Sequence, residues 1–221
     1  FWFAYQVDDD ESKNVVHRVS GTLAQDALDQ GQGTNPSSSH YVREYLQGHS
    51  DDAAGHMRAN RLGGARSYVN LFPQSPRWNS GFFREFEDVI YECVKTGPEG
   101  TTANIDMEFE YGDGEYPYRP IAVHYNARFS PAHTNLPDDN KYAQLRCNHL
   151  FVSFCNDGTP AECASFSSDR STWNADDGAA PHLAALSAML MLRSPAAAAA
   201  MSAPMLGDNV LTIKGGVCKN K

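Results

Sequence analysis

The side chains best suited to chemistry in this chain occur close together, between residues 51 and 88. A Gly-His pair in the stretch DDAAGHMRANRLGG ends in His56, and Asn70, Asn79 and Glu87 come after it. An imidazole is the side chain best placed to accept a proton near neutral pH. Carboxamide and carboxylate oxygens are ligands that Mg²⁺ prefers. This set predicts hydrolysis of a phosphodiester, in which the histidine activates water and a metal ion takes up charge on the phosphate.

The same region carries an unusual concentration of arginine. Between Ala53 and Arg84 there is no Asp, Glu or Lys, and the five arginines are Arg58, Arg61, Arg66, Arg77 and Arg84. The whole chain has a formal net charge of -9, so the remainder carries -14 once these +5 are set apart. The planar guanidinium suits phosphate recognition. The cluster therefore predicts an anion site, and the alternative is chance clustering.

The order and spacing of these residues resemble a known enzyme family. Gly55-His56 is followed by Asn70-Leu71 with Gln74, then by Asn79, nine positions after Asn70, and by Glu87, eight positions after Asn79. This pattern covers about 40 contiguous residues. It is similar to that of the DNA/RNA non-specific endonucleases of the ββα-metal, or His-Me finger, superfamily. A lone Gly-His pair would carry no such information.

The resemblance implies a role for each matched position. His56 would be the general base, and Asn79 would bind Mg²⁺ directly, with Mn²⁺ as the alternative ion. Asn70 would shape the site near the water shell of the metal, and Glu87 would hydrogen-bond metal-bound water. The implied activity is that of a hydrolase that cleaves DNA and RNA without sequence specificity.

The chain departs from the family pattern at one position. Ala54 stands where many members have an arginine just before Gly-His, and members with the Asp-x-x-Gly-His form also lack that arginine. A neighbouring arginine would then contact the phosphate. The candidates are Arg58, Arg61, Arg77 and Arg84.

Each assignment has a simpler alternative. His56 could cap a turn, Asn79 could serve only as a helix cap, and Glu87 could face solvent while Glu85 takes its role. Asp51 and Asp52 are equally open: one of them could orient His56, or both could be loop charges.

The elements that must position these residues follow from hydrophobic periodicity. Residues 15–24 predict a strand, and 51–79 predict irregular structure around a short hairpin. Apolar residues at helical spacing predict a helix over about 80–95, with Asn79-Ser80 as its N-cap; they are Phe82, Phe83, Phe86, Val89, Ile90 and Cys93. Alternation over 103–129 predicts two strands, and 148–155 a third, more buried one. Residues 41–48 fit a helix or a strand equally well.

We therefore expect an α+β fold with a ββα-metal core and a supporting antiparallel sheet. His56 should lie on the hairpin, and Asn79 and Glu87 on the helix that faces it. The nuclease domain is predicted over 15–164, and 165–221 would form a C-terminal extension of uncertain role.

Composition limits the setting of this domain. The chain has 221 residues and no apolar run of membrane-spanning length, which predicts no membrane association. Its five cysteines form no CxxC pair, so a zinc site built from cysteines is not expected. We expect instead that the protein contains disulfides and is secreted. Cys155 and Cys163 flank a turn-rich segment that a disulfide could close.

Two other classes of function remain open from the sequence. The fold could serve a secreted toxin or effector, with an inhibitor or immunity protein as a partner. It could also be a module that binds nucleic acid or an acidic protein without cleavage.

Overall fold

The structure is a computed structural model that describes residues 3–7, 15–112, 114–134, 136–143 and 145–156. Its main element is a five-stranded antiparallel sheet. In their order across the sheet, the strands are β1 (Phe3–Val7), β2 (Val16–Ala24), β5 (Thr102–Tyr111), β6 (Pro120–His133) and β7 (Cys147–Cys155). The strands predicted over 15–24, 103–129 and 148–155 are confirmed, and β1 extends the sheet to residues before 15.

Between β2 and β5 the chain forms the smaller elements. They are α1 (Pro36–His40), a π-helical turn (Tyr41–Tyr45), β3 (Ala53–His56), β4 (Leu71–Gln74), α2 (Pro76–Asn79) and α3 (Phe82–Thr96). Strands β3 and β4 form the predicted hairpin, in which His56 pairs with Leu71. Hairpin and helix therefore follow one another as β-β-α, and the α+β class is confirmed.

Helix α3 covers one face of the sheet. Phe83, Phe86, Val89 and Ile90 are each at most 2% exposed and belong to one hydrophobic core with inward residues of β2, β5, β6 and β7. The helical spacing predicted from the sequence is thus the buried stripe of α3. The Phe82 side chain lies outside the described residues.

The predicted N-cap of this helix is wrong. Asn79 ends the separate helix α2, and the Ser80 hydroxyl donates to the carbonyl of Pro76, 2.8 Å away. Gly81 is the residue before α3, and no side chain caps it. Pro76 explains the difference, because proline is favoured in the first turn of a helix and starts an additional helical turn here.

A disulfide joins α3 to the sheet. Cys93 and Cys147 are bonded across a sequence separation of 54, and both are fully buried. Such a cross-link restricts the unfolded chain by closing a long loop.

Two predictions concern residues outside the described part of the chain. They are the bond from Cys155 to Cys163, since Cys163 is not described, and the extension 165–221. In the part of the chain that is described, no helix has the length and apolar character needed to cross a membrane.

A buried ion pair fixes the hairpin against the sheet. Arg119, just before β6, donates from Nε to Asp52 Oδ2 at 2.7 Å and from Nη2 to Oδ1 at 3.0 Å. The Asp52 side chain is 1% exposed and that of Arg119 is 6% exposed. Asp52 Oδ2 also accepts from the backbone amide of His49 at 2.8 Å. This carboxylate is therefore fully occupied, and it anchors the hairpin rather than orienting His56.

The third member of this anchor is Asn156, directly after β7. Its Nδ2 donates to the carbonyls of Pro73 and Pro120, each at 2.9 Å, and its Oδ1 accepts from the amide of Ser75 at 2.9 Å. Its own carbonyl accepts from Arg119 Nη1. The start of β6, the end of β7 and strand β4 are thereby joined by buried polar contacts. We call Asp52, Arg119 and Asn156 the anchor.

Replacing Arg119 tests the anchor. Arg119→Met should lower the free energy of unfolding by about 3–5 kcal/mol, because it leaves the Asp52 carboxylate buried without its partner. Urea denaturation measures this change. The matched control is Arg18→Met, which breaks the ion pair of Arg18 with Asp106, whose side chains are 49% and 22% exposed. That exposed pair should contribute less than about 1 kcal/mol. Equal losses in the two variants would contradict the assigned role of the anchor.

Candidate metal-dependent nuclease site

His56 is the last residue of β3, and its imidazole lies partly exposed. Nε2 lies 3.0 Å from the carbonyl oxygen of Gln32. Because a carbonyl only accepts, Nε2 carries the hydrogen and Nδ1 keeps a lone pair in the neutral ring. Burial lowers the pKa of His56, and the hydrogen bond to Gln32 opposes that shift only in part. The imidazole is therefore neutral at pH 7, as a general base must be.

The Gln32 carbonyl reaches His56 because residues 31 and 32 pack against the loop that follows β3, at residues 60–64. The amide of Gln32 donates to the carbonyl of Gly64 at 2.9 Å. A Cβ on Gly31 would collide with the carbonyl oxygens of Asn60 and Gly64. Glycine is thus required at 31 for this close approach.

The buried side chain of Asn70 connects backbone groups of that loop by hydrogen bonds. Its side chain is fully buried; Oδ1 accepts from the amide of Arg58 at 2.9 Å, and Nδ2 donates to the carbonyls of Arg58 and Ala65 at 3.0 and 2.9 Å. All of these partners are backbone groups next to the strand that carries His56. The geometry supports a shaping role for Asn70.

Asn79 lies at the end of α2 and is exposed. Helix α2, which ends at Asn79, contacts both the strand that carries His56 and the helix that carries Glu87. Since Asn79 does not cap α3, its carboxamide has no capping role there. That excludes the simpler explanation of this residue as the N-cap of α3.

Glu87 faces the interior, one turn after the start of the buried stripe of α3. It is 8% exposed, and its Oε1 has no hydrogen-bond partner within the described residues. Burial raises the pKa of Glu87 well above its ordinary value, and Asp88 raises it further, while Arg61 and Arg84 oppose the shift. An unpartnered buried carboxylate is costly. Such an oxygen fits a site that is completed by a cation or its hydration water.

Glu85 is positioned differently from Glu87. Its Oε2 accepts from Lys141 Nζ at 2.9 Å and from the hydroxyl of Tyr142 at 2.8 Å. Because its carboxylate is committed to these two groups, Glu85 is a poorer candidate for the metal site than Glu87.

Tyr125 is a buried group near Glu87 that sequence reasoning missed. Its hydroxyl has no hydrogen-bond partner among the described residues. Burial raises the pKa of Tyr125, the charge of Glu87 raises it further, and Arg58 lowers it. The Tyr125 hydroxyl and Glu87 Oε1 therefore interact electrostatically, and like Gln74 Oε1 on β4 they lack a hydrogen-bond partner among the described residues. A tyrosine within a strand gives no sequence signal of this kind, because its depth depends on strand pairing.

The four candidate arginines divide into two pairs. Arg61 forms an ion pair with Asp88 and lies 3.8 Å above the ring of Tyr91, so it is committed within the protein. Arg58 donates from Nε to the carbonyl of Leu62 at 2.6 Å. By contrast, the residues Arg77 and Arg84 are exposed. The second pair is therefore the better placed for contact with a phosphate.

A separate group of possible cation ligands lies before β3. One ligand atom each of His49, Asp51 and Asp52 comes within 4.8 Å of the others. The Asp52 carboxylate already carries the two bonds from Arg119 and one from the backbone. Because the charge of Asp52 is neutralised in this way, we assign its carboxylate to the anchor. We do not assign the three residues to metal binding.

Comparison with known proteins gives one relative of high sequence identity. The chain is 38% identical over 108 residues to a protein of Dickeya dadantii (strain 3937) named "Probable deoxyribonuclease RhsA". The match covers 49% of this chain but only 7% of that protein. No family model matches the chain.

Solved structures with some likeness are nucleases as well. The Sda1 nuclease with bound zinc ion has a TM-score of 0.44 and 15% identity, covering 58% of this chain and 70% of that one. NucA from Streptococcus agalactiae, with no metal bound, has a TM-score of 0.42 and 14% identity, covering 78% and 76%. The Dickeya relative, which is named a probable deoxyribonuclease, is 38% identical over about half of this chain, and this bears out the nuclease resemblance read from the residues.

Proposed function

We propose that this chain is a metal-dependent endonuclease that hydrolyses phosphodiester bonds in DNA and RNA without sequence specificity. The observation that carries the proposal is the buried Glu87 carboxyl, whose Oε1 has no hydrogen-bond partner within the described residues. One ββα element presents it together with the neutral imidazole of His56. The name of the Dickeya relative supports DNA as a substrate. RNA is included because contacts to phosphates alone do not read base sequence.

His56 is the general base in this proposal. Its Nε2 donates to the Gln32 carbonyl, so the lone pair on Nδ1 accepts the proton as water attacks the phosphorus. The imidazolium that forms keeps its hydrogen bond to Gln32, which stabilises the cation. The lowered pKa makes the proton easy to release after each turnover.

Asn79 and Glu87 would hold the metal, for which we propose Mg²⁺, with Mn²⁺ as a substitute. The Asn79 carboxamide would bind the ion directly, and Glu87 would bind its hydration water. When bound, the ion supplies positive charge next to the phosphate and the leaving oxygen. A cation near Glu87 also compensates the ionised carboxylate, which burial otherwise disfavours.

Arg77 and Arg84 are the residues that we propose to bind the phosphates. Both are exposed, whereas Arg58 and Arg61 make contacts within the protein. Arg84 also interacts electrostatically with Glu87, which supports a role for its charge beside the proposed metal ligands. One of these arginines would replace the guanidinium that is absent at Ala54. Because the chain is acidic overall, binding should depend on this local site and weaken with added salt.

The biological setting is a second proposal. The chain spans only 7% of the length of its Dickeya relative, so it matches one module of a much larger protein. This supports a role as the nuclease part of a secreted toxin or effector that acts outside the producing cell. Such a module would need an inhibitor or immunity protein as its partner. The buried disulfide between Cys93 and Cys147 is typical of proteins outside the reducing cytosol.

His56→Ala tests the proposed base. Plasmid cleavage in Mg²⁺ should fall by about 10²–10⁴-fold, the range for loss of a general base, and EDTA should abolish cleavage by the wild type. The matched control is His40→Ala, which removes an exposed histidine at the end of α1 and should keep full activity. Cleavage by His56→Ala at the wild-type rate would refute the mechanism. A wild type that binds DNA but never cuts it would instead favour the binding module.

The pH dependence of cleavage tests the state of His56. Because burial lowers the pKa of His56 below 6.5, the active neutral form predominates from mildly acidic pH upwards. The acid limb of kcat/KM should therefore have its midpoint below 6.5, with a plateau at neutral pH. A midpoint above 7 would show that a different group, or a protonated histidine, controls the reaction.

Glu87→Gln should change stability and activity in opposite directions. A carboxyl whose pKa is raised in the folded state loses stability as pH rises above its unfolded value of about 4.3. At pH 7 in EDTA the neutral amide should thus stabilise the fold, because it removes the cost of ionising a buried carboxyl. Thermal unfolding measures this gain, and Mg²⁺-dependent cleavage should fall more than tenfold.

The control for Glu87 is Glu85→Gln on the same helix. It removes a carboxylate that is bound to Lys141 and Tyr142, so cleavage should be kept and no stabilisation should appear. Loss of activity in Glu85→Gln, with Glu87→Gln fully active, would reverse the assignment of the two residues.

A further inference from the structure

Three tyrosines form a stacked column next to the hairpin. The ring centroids of Tyr41 and Tyr45 are 5.6 Å apart with planes 18° from parallel, and those of Tyr41 and Tyr68 are 4.3 Å apart with planes 29° from parallel. Tyr45 is 77% exposed and Tyr68 is 55% exposed. Tyr41 thus stacks with both of the other rings, and more than half of each outer tyrosine is open to solvent. We call Tyr45, Tyr41 and Tyr68 the tyrosine column.

The column is attached to the face of the hairpin that carries His56. Tyr41 packs against the second hydrophobic cluster, which includes Ala54 and Leu71. Leu71 is the cross-strand partner of His56, and directly paired residues of a hairpin project to the same face. Tyr68 belongs to the loop that Asn70 holds in place. The column is therefore joined through Tyr41 to the cluster on the hairpin face from which His56 projects.

Within the described residues, neither Tyr45 nor Tyr68 belongs to a hydrophobic core cluster. Tyr41 packs against the second cluster together with Tyr111 and Tyr118, whereas the rings of Tyr45 and Tyr68 project into solvent. Exposed aromatic rings in a row are suited to stacking with nucleobases, which succeeds with any base because every base has a π-face. Stacking also needs no positive charge, which suits a chain with a net charge of -9.

The charge around the column is compatible with the same ligand. Arg66, two positions before Tyr68, is exposed, and the sequence from Ala53 to Arg84 contains no carboxylate. A strand whose bases stack on Tyr68 would place its phosphates against this arginine-bearing loop. Aromatic rings interleaved with cations are the usual composition of a single-strand binding groove.

We propose that the tyrosine column is a binding surface for unpaired nucleobases, which directs single-stranded segments of a nucleic acid to His56. This inference rests on the proposed nuclease function and adds its substrate class. Bases within a duplex are covered by their neighbours on both faces, so only an unpaired base continues the column. The column consequently favours single strands, loops and frayed ends over intact duplex.

Binding is measured in the full chain that carries His56→Ala, so that the nucleic acid stays uncut. The probes are a short single-stranded oligodeoxynucleotide containing 2-aminopurine and the same oligonucleotide annealed to its complement. The variants are Tyr45→Ala with Tyr68→Ala, and Tyr45→Phe with Tyr68→Phe. The matched control is Val69→Ala, which removes a 47% exposed apolar side chain beside the column. All of these positions are exposed, and thermal unfolding checks that each variant folds.

The alanine pair should weaken single-strand affinity roughly fivefold to a hundredfold, as expected for the loss of base stacking, and should abolish quenching of 2-aminopurine. The phenylalanine pair and Val69→Ala should retain both, and duplex affinity should change little. In the active protein the alanine pair should raise KM for single strands with kcat nearly unchanged.

Two results would overturn the inference. One is unchanged single-strand affinity and quenching in the alanine pair. The other is an equal loss for duplex and single strand, or a loss only of binding to a partner protein, which would make the column a protein interface. Failure of the proposed function is distinguishable, since it would appear as no Mg²⁺-dependent cleavage by the wild type while 2-aminopurine quenching persists.

Discussion

The buried pair of Asp52 and Arg119 is the interaction on which the site depends. Strands β3 and β4 have four residues each, and an isolated two-stranded hairpin is marginally stable at best in water. The anchor joins this hairpin to the start of β6 and the end of β7. An unpaired buried charge is so unfavourable that the hairpin has one well-defined position. Since His56 lies four residues after Asp52, that position determines where the proposed base is held.

Packing of α3 determines the other half of the site. The apolar stripe of this helix must lie on the sheet, and the 3.6-residue repeat then carries Glu87 to the edge of that stripe and into the interior. A buried carboxylate without a partner reduces the stability of the metal-free fold. The same burial makes the carboxylate a favourable neighbour for a cation. This is the trade between stability and activity that is common at catalytic sites.

The arginines of the proposed anion site divide between contacts within the protein and exposure to solvent. Of the four candidates, Arg58 and Arg61 bind a carbonyl and a carboxylate of the protein, and they support the loop and the helix. Only exposed guanidinium groups remain for a substrate, which limits the electrostatic contribution to binding. A stacking surface beside the hairpin supplies affinity of a kind that charge alone does not give, and it distinguishes unpaired from paired bases.

By itself, the sequence determined the strands after 102, the helix that carries Glu87, the hairpin and the ordered set His56, Asn70, Asn79 and Glu87. These features are encoded by local periodicity and by spacing within about 40 residues. The N-cap was wrong because Pro76 adds a helical turn that ends at Asn79. Only the tertiary structure decided that Asp52 pairs with Arg119, 67 residues away, and that Arg61 pairs with Asp88. The same holds for the burial of Tyr125 and the stacking of the three tyrosines. Each of these depends on which distant strands meet, and no local pattern in the chain records that pairing.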